Sequence, residues 1–241
     1  MKLKIHKTKQ EVAKDFSKYL ADFIAARKEA HIALSGGSTP KIVFEELAAN
    51  YANKINWTKV HLFWGDERCV PPDDNDSNFK MTKEYLLSRI DIPEGNIHRI
   101  KGENKPTYEA TRYAELLFAG LRILRKVPHF DLVILGMGDD GHTASIFPHE
   151  IDLWHSKKYC VVAEHPESGQ KRISITGQII NNAQEVVFLV TGKNKAEKVQ
   201  EIINEEGDYK KYPATLVAPK SGNLLWFLDD AAASKITSAQ S

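Results

Sequence analysis

Five short apolar runs constrain the fold of this chain more than any other feature: residues 31–34 (HIAL), 60–64 (VHLFW), 130–135 (FDLVIL), 186–190 (VVFLV) and 224–228 (LLWFL). A strand with one wet face alternates apolar and polar residues. These runs do not alternate, which is the pattern of strands covered on both sides. Between them lie stripes at helical spacing: Val12, Phe16, Leu20, Phe23 and Ile24; Tyr113, Leu117, Leu121 and Leu124; and Ala196, Val199 and Ile203. Strands alternating with helices predict right-handed crossovers and an open, mainly parallel, doubly wound α/β sheet with helices on both faces. The length of 241 residues fits a single α/β domain over 1–241, its small, polar end at 231–241 expected to fray. In such a sheet ligands bind beyond the carboxyl ends of the strands. The loops that follow strands are therefore where chemistry is expected.

Composition narrows the partners. The 33 basic residues nearly balance the 32 acidic ones, for a net charge of +1, so no global field favours nucleic acid or an anionic membrane. No apolar run approaches the roughly 20 residues of a membrane span. The first residues carry no apolar stretch of the signal-peptide kind, and a cytoplasmic location is expected. Cys69 and Cys160 form no CxxC pair and are expected as reduced thiols, although two cysteines also allow one disulfide. An anionic substrate would have to be recognised by a local site.

Three loops offer such a site. Ser35, Gly36, Gly37, Ser38, Thr39 and Pro40 separate a strand from a helical pattern, with Thr39 placed for an N-cap and Pro40 for the first helical position. Glycines let backbone approach a ligand closely, and free N–H groups at a helix start attract anions. The same residues would also make a plain tight turn. After the next strand come Asp66, Glu67 and Arg68, then a long polar loop with a helix cap at Asp76 or Ser77. Ionisable groups there must be paired or solvated. Arg68 offers a planar fork for a phosphate or carboxylate, and an internal Asp66–Arg68 pair is the alternative.

The third loop, 136–148 (GMGDDGHTASIFP), is the most informative. Histidine titrates nearest neutrality, so His142 is the candidate general base. One short helical turn is expected to start there and stop near Pro148, its dipole keeping the imidazole uncharged. Asp140 would orient that ring or cap the helix. Gly136, Gly138 and Gly141 would leave N–H groups open to a developing oxyanion. A structural histidine in a strand-to-helix turn is the alternative. There is no GxSxG elbow, so attack by a water molecule is simpler than a covalent intermediate. His149, Asp152, His155 and His165 follow at no ligand spacing, and no metal is expected. Further on, Arg172 opens a strand-like run and Lys195 opens a helix after residues 186–190, both at expected loop ends of parallel strands.

Taken in order, SGGSTP, GDERCVP with DNDSN, GMGDDGHTASIFP, KRISITG, GKNKAEK, the Pro213–Ala214 pair and the WFLD segment resemble the 6-phosphogluconolactonase family over almost the whole chain. The resemblance implies an open α/β sheet related to the sugar-phosphate isomerases. It implies cofactor-free hydrolysis of 6-phospho-D-glucono-1,5-lactone in the oxidative pentose phosphate pathway; separately, a monomer or homodimer is expected. It further implies His142 as base, Ser35 to Thr39 with Arg172 and Lys195 as phosphate holders, and Arg68 as a mobile substrate-binding arginine; Asp66 and Gly138 are further candidates for substrate binding. One departure is visible: the usual PP-x-x-R before the strand reads HPESGQKR at 165–172. The rival, a glucosamine-6-phosphate deaminase/isomerase, resembles the chain at the phosphate loop and DGH turn but carries a glutamate where Phe147 stands. A non-catalytic sugar-phosphate sensor on the same fold is the third reading.

Overall fold

The computed structural model describes residues 1–236. The first half runs β1 (Lys2–His6), α1 (Lys9–Ala25), β2 (Ala30–Leu34), α2 (Ser38–Asn50), β3 (Val60–Trp64), β4 (Asp66–Arg68), α3 (Asn78–Tyr85), β5 (Ile97–His98) and α4 (Pro106–Gly120). The second half runs β6 (Arg122–Leu124), β7 (Val127–His129), β8 (Leu132–Leu135), β9 (Cys160–Glu164), β10 (Lys171–Ile175), α5 (Gly177–Ile180), β11 (Glu185–Val190), α6 (Ala196–Asn204), β12 (Leu224–Asp229) and α7 (Asp230–Ala233). No helix among the described residues is long and apolar enough to cross a membrane.

All five apolar runs are strands of one parallel sheet, ordered β1-β12-β11-β8-β2-β3-β5. On one face Ile32, Leu34, Leu62, Ile134 and Leu189 pack under Phe16, Leu20 and Ile24 of α1 and Val43, Phe44 and Leu47 of α2. On the other, the buried Phe63 meets Phe130 edge-on at 5.3 Å. Nearby, the Tyr113 hydroxyl of α4 donates to the Trp64 carbonyl and accepts from its N–H, both at 2.9 Å. From β2 the chain proceeds to β3 and β5 on one side; from β8 it proceeds to β11 and β12 on the other. The order therefore reverses between β2 and β8, and a crevice opens at their carboxyl ends.

Several local expectations change. A separate antiparallel sheet, β4-β10-β9, hangs on the large one, and Arg172 lies in it rather than at the end of a parallel strand. The helical stripe through Tyr113 and Leu117 stops at Gly120; Leu121 is already extended and Leu124 belongs to a hairpin. That hairpin turns through Arg125 and Lys126, both at positive φ (56° and 64°), a left-handed pair normally signalled by Asn-Gly. The expected fraying end is in part α7, capped by the Asp229 carboxylate on the Ala232 N–H at 2.8 Å, with Ala232 buried. Residues 237–241 of that expectation lie outside the described residues. Both cysteines are free.

Tyr113 is wholly buried, so Tyr113→Phe leaves both polar groups of Trp64 without their partner. The expected loss is about 1–3 kcal/mol of unfolding free energy, read as a lower denaturant midpoint at unchanged slope.

Candidate active site

The crevice between β2 and β8 is a cavity of about 240 Å³. Ser35, Gly36, Gly37, Ser38, Thr39, Asp66, Arg68, Gly138, His142, Arg172 and Lys195 all line it. Asp140, the remaining expected site residue, stands behind His142 and touches it directly.

The segment after β2 forms one wall. Helix α2 starts at Ser38, with Gly37 as its cap at φ 112°, so Thr39 is inside the helix and caps nothing. Its hydroxyl instead bonds that of Thr191 at 2.8 Å, tying the wall to the loop after β11. As first-turn residues, Ser38 and Thr39 have N–H groups without an intrahelical acceptor, the donors an anion needs. At Gly36 a Cβ would fall 1.8 Å from the Asn78 Oδ1, so only glycine lets this wall come so close.

The opposite wall carries two guanidinium groups. Arg68 and Arg172 are direct cross-strand partners in the β4–β10 pair, an arrangement that like charges destabilise. Arg68 donates from Nη1 to the Asp76 carbonyl at 2.6 Å. The Nε of each is buried without a hydrogen-bond partner. Burial lowers the Arg172 pKa, and the charge of Arg68 lowers it further. An anion between them would satisfy the free donors and cancel the repulsion. Neither arginine pairs with Asp66: among the described residues there is no Asp66–Arg68 ion pair. The Asp66 carboxylate accepts from Ser145 Oγ at 2.6 Å and Asn78 Nδ2 at 3.4 Å instead. Glu67 is spent on structure, accepting from the N–H groups of Arg68, Asn78 and Phe79 and from Ser77 Oγ at the start of α3. Burial pushes its pKa up despite those donors. Ser77 is the cap of that helix.

The floor is the loop after β8. Asp140 Oδ1 lies 2.6 Å from His142 Nδ1 and 3.0 Å from the His142 N–H. A carboxylate only accepts, so Nδ1 carries the proton and Nε2 presents its lone pair. Burial raises the Asp140 pKa, but the bond to His142, the charge of that ring and the backbone donors together outweigh it and hold the group down at about 2. Asp140 orients the ring and caps no helix, because no helix follows. Thr143 and Ile146 instead form an isolated antiparallel bridge around Ala144, which sits at φ 48°. The expected dipole effect on His142 therefore disappears, and orientation rests on Asp140 and on the Phe147 ring, 4.6 Å away. The N–H groups of Gly138 and Gly141 are also committed, to His142 O at 2.9 Å and Gly138 O at 3.1 Å. They are not free for an oxyanion. The Arg172 guanidinium lies 5.5 Å from the same Phe147 ring, so base and cation are within a hexose phosphate of each other. Lys195 reaches the cavity edge, where it pairs with Asp139; Asn194 Nδ2 donates to the same carboxylate at 2.8 Å.

Sequence reasoning missed Asn78 and Thr191. The DNDSN run signalled a cap but not that its last residue turns inward, and Thr191 lies one residue before a glycine read only as a helix approach.

The sequence matches the family described as glucosamine-6-phosphate isomerases/6-phosphogluconolactonase over residues 5–226. It is 47% identical to the 6-phosphogluconolactonase of Haemophilus influenzae over 205 residues, 84% of this chain and 85% of that one. The crystallised 6-phosphogluconolactonase of Trypanosoma brucei is 29% identical, covers 98% of both chains and superposes with a TM-score of 0.86. A monomeric glucosamine-6-phosphate deaminase shares the fold, with a TM-score of 0.82 at 20% identity over 98% of this chain and 100% of that one.

A Cβ on Gly138 would fall 2.1 Å from His142 Nδ1 and 2.7 Å from Asp140 Oδ1. Gly138→Ala should therefore displace the imidazole and cost about 10²-fold in kcat, with the melting temperature little changed. Steady-state kinetics beside a thermal melt checks this; unchanged turnover would show that the ring position does not matter.

Proposed function

Because the chain belongs to the glucosamine-6-phosphate isomerase/6-phosphogluconolactonase family, we propose that it hydrolyses 6-phospho-D-glucono-1,5-lactone to 6-phosphogluconate, a step of the oxidative pentose phosphate pathway. The observation that carries this reading is the oriented imidazole of His142 within a hexose phosphate's length of the Arg172 guanidinium. The phosphate docks on the loop and first turn of α2, from Ser35 to Thr39, with Arg172 and Lys195 closing over it. To do so it takes Lys195 from Asp139. His142 Nε2 removes a proton from water as the oxygen adds to C1. Negative charge gathers on the former carbonyl oxygen, where Arg68 supplies the compensating cation. When the C1–O5 bond breaks, the imidazolium returns its proton to O5 and the open acid leaves. The reaction draws only on side chains and water.

Phe147 weighs against the deaminase/isomerase reading. Moving a proton between two substrate carbons wants a second acid–base group, and a wholly buried phenyl ring supplies none. The intact Asp140–His142 pair weighs against a sensor, which needs no base. The enzyme works in the cytoplasm as a monomer or homodimer.

Such lactones open spontaneously, so the informative assay compares opening with and without protein, on phosphorylated and unphosphorylated rings. A marked preference for the phosphorylated ring is expected. His142→Ala should lose about 10² to 10⁴-fold in kcat while KM stays nearly constant. An unchanged rate removes the histidine from the mechanism, and ammonia release from glucosamine 6-phosphate would restore the rival.

A further inference from the structure

At the opposite, amino-terminal edge of the large sheet lies a cluster that lactone hydrolysis does not use. His31 on β2 and His61 on β3 are register partners in adjacent parallel strands. Their rings stack at 4.9 Å between centroids. His98 on β5 continues the stack at 5.4 Å from His61. Glu29, which immediately precedes β2, reaches across both: Oε1 lies 3.0 Å from His61 Nε2 and Oε2 lies 4.0 Å from His31 Nε2. One donor atom from each of Glu29, His31 and His61 falls within 4.8 Å of the other two. Four residues of strand, roughly 13 Å at about 3.3 Å each, separate His31 from the phosphate wall at Ser35.

We propose that Glu29, His31 and His61 form a binding site for a divalent transition-metal ion of the zinc type. Two neutral imidazoles and one carboxylate are a donor set that zinc favours, with a fourth position left to water. At bond lengths of about 2.0–2.1 Å, ligand atoms around a tetrahedral ion stand roughly 3.3 Å apart. The observed spacing, from 3.0 Å up to 4.8 Å, brackets that value, and closure needs rotations of side chains. Glu29 can make them, since its side chain is 57% exposed. The outer contacts are already in place. His31 Nδ1 lies 3.3 Å from Asp131 Oδ2, a carboxylate that also holds the His31 backbone N–H at 2.8 Å. That fixes the Nδ1–H tautomer and turns the Nε2 lone pair toward Glu29. His61 Nδ1 lies 3.1 Å from His98 Nε2, so His98 can accept the Nδ1 proton when Nε2 is given to a metal. The carboxylates of Glu29 and Asp131 supply the two negative charges that match a divalent ion. A bound ion would pin β2 to β3 at the edge of the sheet remote from catalysis. No linear motif announces the site, because His31 and His61 are thirty residues apart in the chain and meet only through strand pairing.

The test is zinc titration of the metal-stripped full-length protein by calorimetry, with cobalt(II) absorption as the coordination probe. One equivalent is expected to bind, with a tetrahedral cobalt spectrum and a raised melting temperature. Glu29→Ala and His61→Ala should each weaken binding at least about tenfold. His142→Ala, which removes the histidine of the catalytic cleft, should leave it intact. Lactone turnover by Glu29→Ala should equal that of the parent, which separates this site from the hydrolytic reading. If His61→Ala does not fold, Glu29→Ala decides alone, because its side chain is mostly exposed. Absence of binding at micromolar zinc, affinity unaltered by Glu29→Ala, or binding abolished by His142→Ala would each overturn the proposal.

Discussion

One buried carboxylate holds the cleft together. Asp66 is 5% exposed, and instead of neutralising a neighbouring arginine it accepts from Ser145 in the loop after β8 and from Asn78 at the start of α3. Asn78 in turn donates to the Asp66 carbonyl at 3.0 Å and stands so near Gly36 that no side chain fits there. The Ser145 N–H donates to Ser174 Oγ on β10 at 3.1 Å. Phosphate wall, arginine strand and histidine loop are thus positioned by a single network of buried polar groups. A buried group that loses its partner keeps its desolvation cost. The network is therefore a matter of all or nothing.

That network also explains the unsatisfied cations. With Asp66 committed to Ser145 and Asn78, and Glu67 to the first turn of α3, neither acid in the loop after β3 is left for Arg68 or Arg172. The protein carries two half-desolvated positive charges across one strand pair, a local cost that a substrate anion removes. Lys195 differs, since it keeps a partner, Asp139, until something more strongly charged replaces it. The cleft thus combines one permanently unmet demand with one exchangeable bond.

Much of this was legible in the chain. The continuous apolar runs named five of the seven strands of the large sheet, because burial on both faces removes the polar alternation; β1, at the edge and half exposed, carries no such run. The clustering of Gly138, Asp140 and His142 after such a run marked the loop that carries the candidate base. What stayed hidden was non-local. Strand β4 has three residues and finds its partner about a hundred residues later, so nothing in its own pattern announces the second sheet. The stretch after His142 looked helical because Thr143, Ala144 and Ser145 are compatible with a turn of helix. Tertiary bonds from Ser145 to Asp66 and Ser174 pulled it into a bridge instead. Arg125 and Lys126 concealed a turn because neither is a residue that ordinarily favours positive φ. The Thr39 cap failed for a related reason, since Gly37 ended the loop earlier and released the hydroxyl to Thr191.

The two sheets meet at Gly65, whose N–H bonds the Leu34 carbonyl at 2.8 Å and whose own carbonyl accepts from Ile175 at 2.9 Å. The Asp140–His142 pair and helix α2 belong to the larger sheet, whereas both guanidinium groups belong to the smaller. Both guanidinium groups therefore sit on a different sheet from the Asp140–His142 pair, while the wall from Ser35 to Thr39 stays with the larger one. A shift at Gly65 would move the two arginines relative to helix α2, so that junction sets the width of the cleft between them.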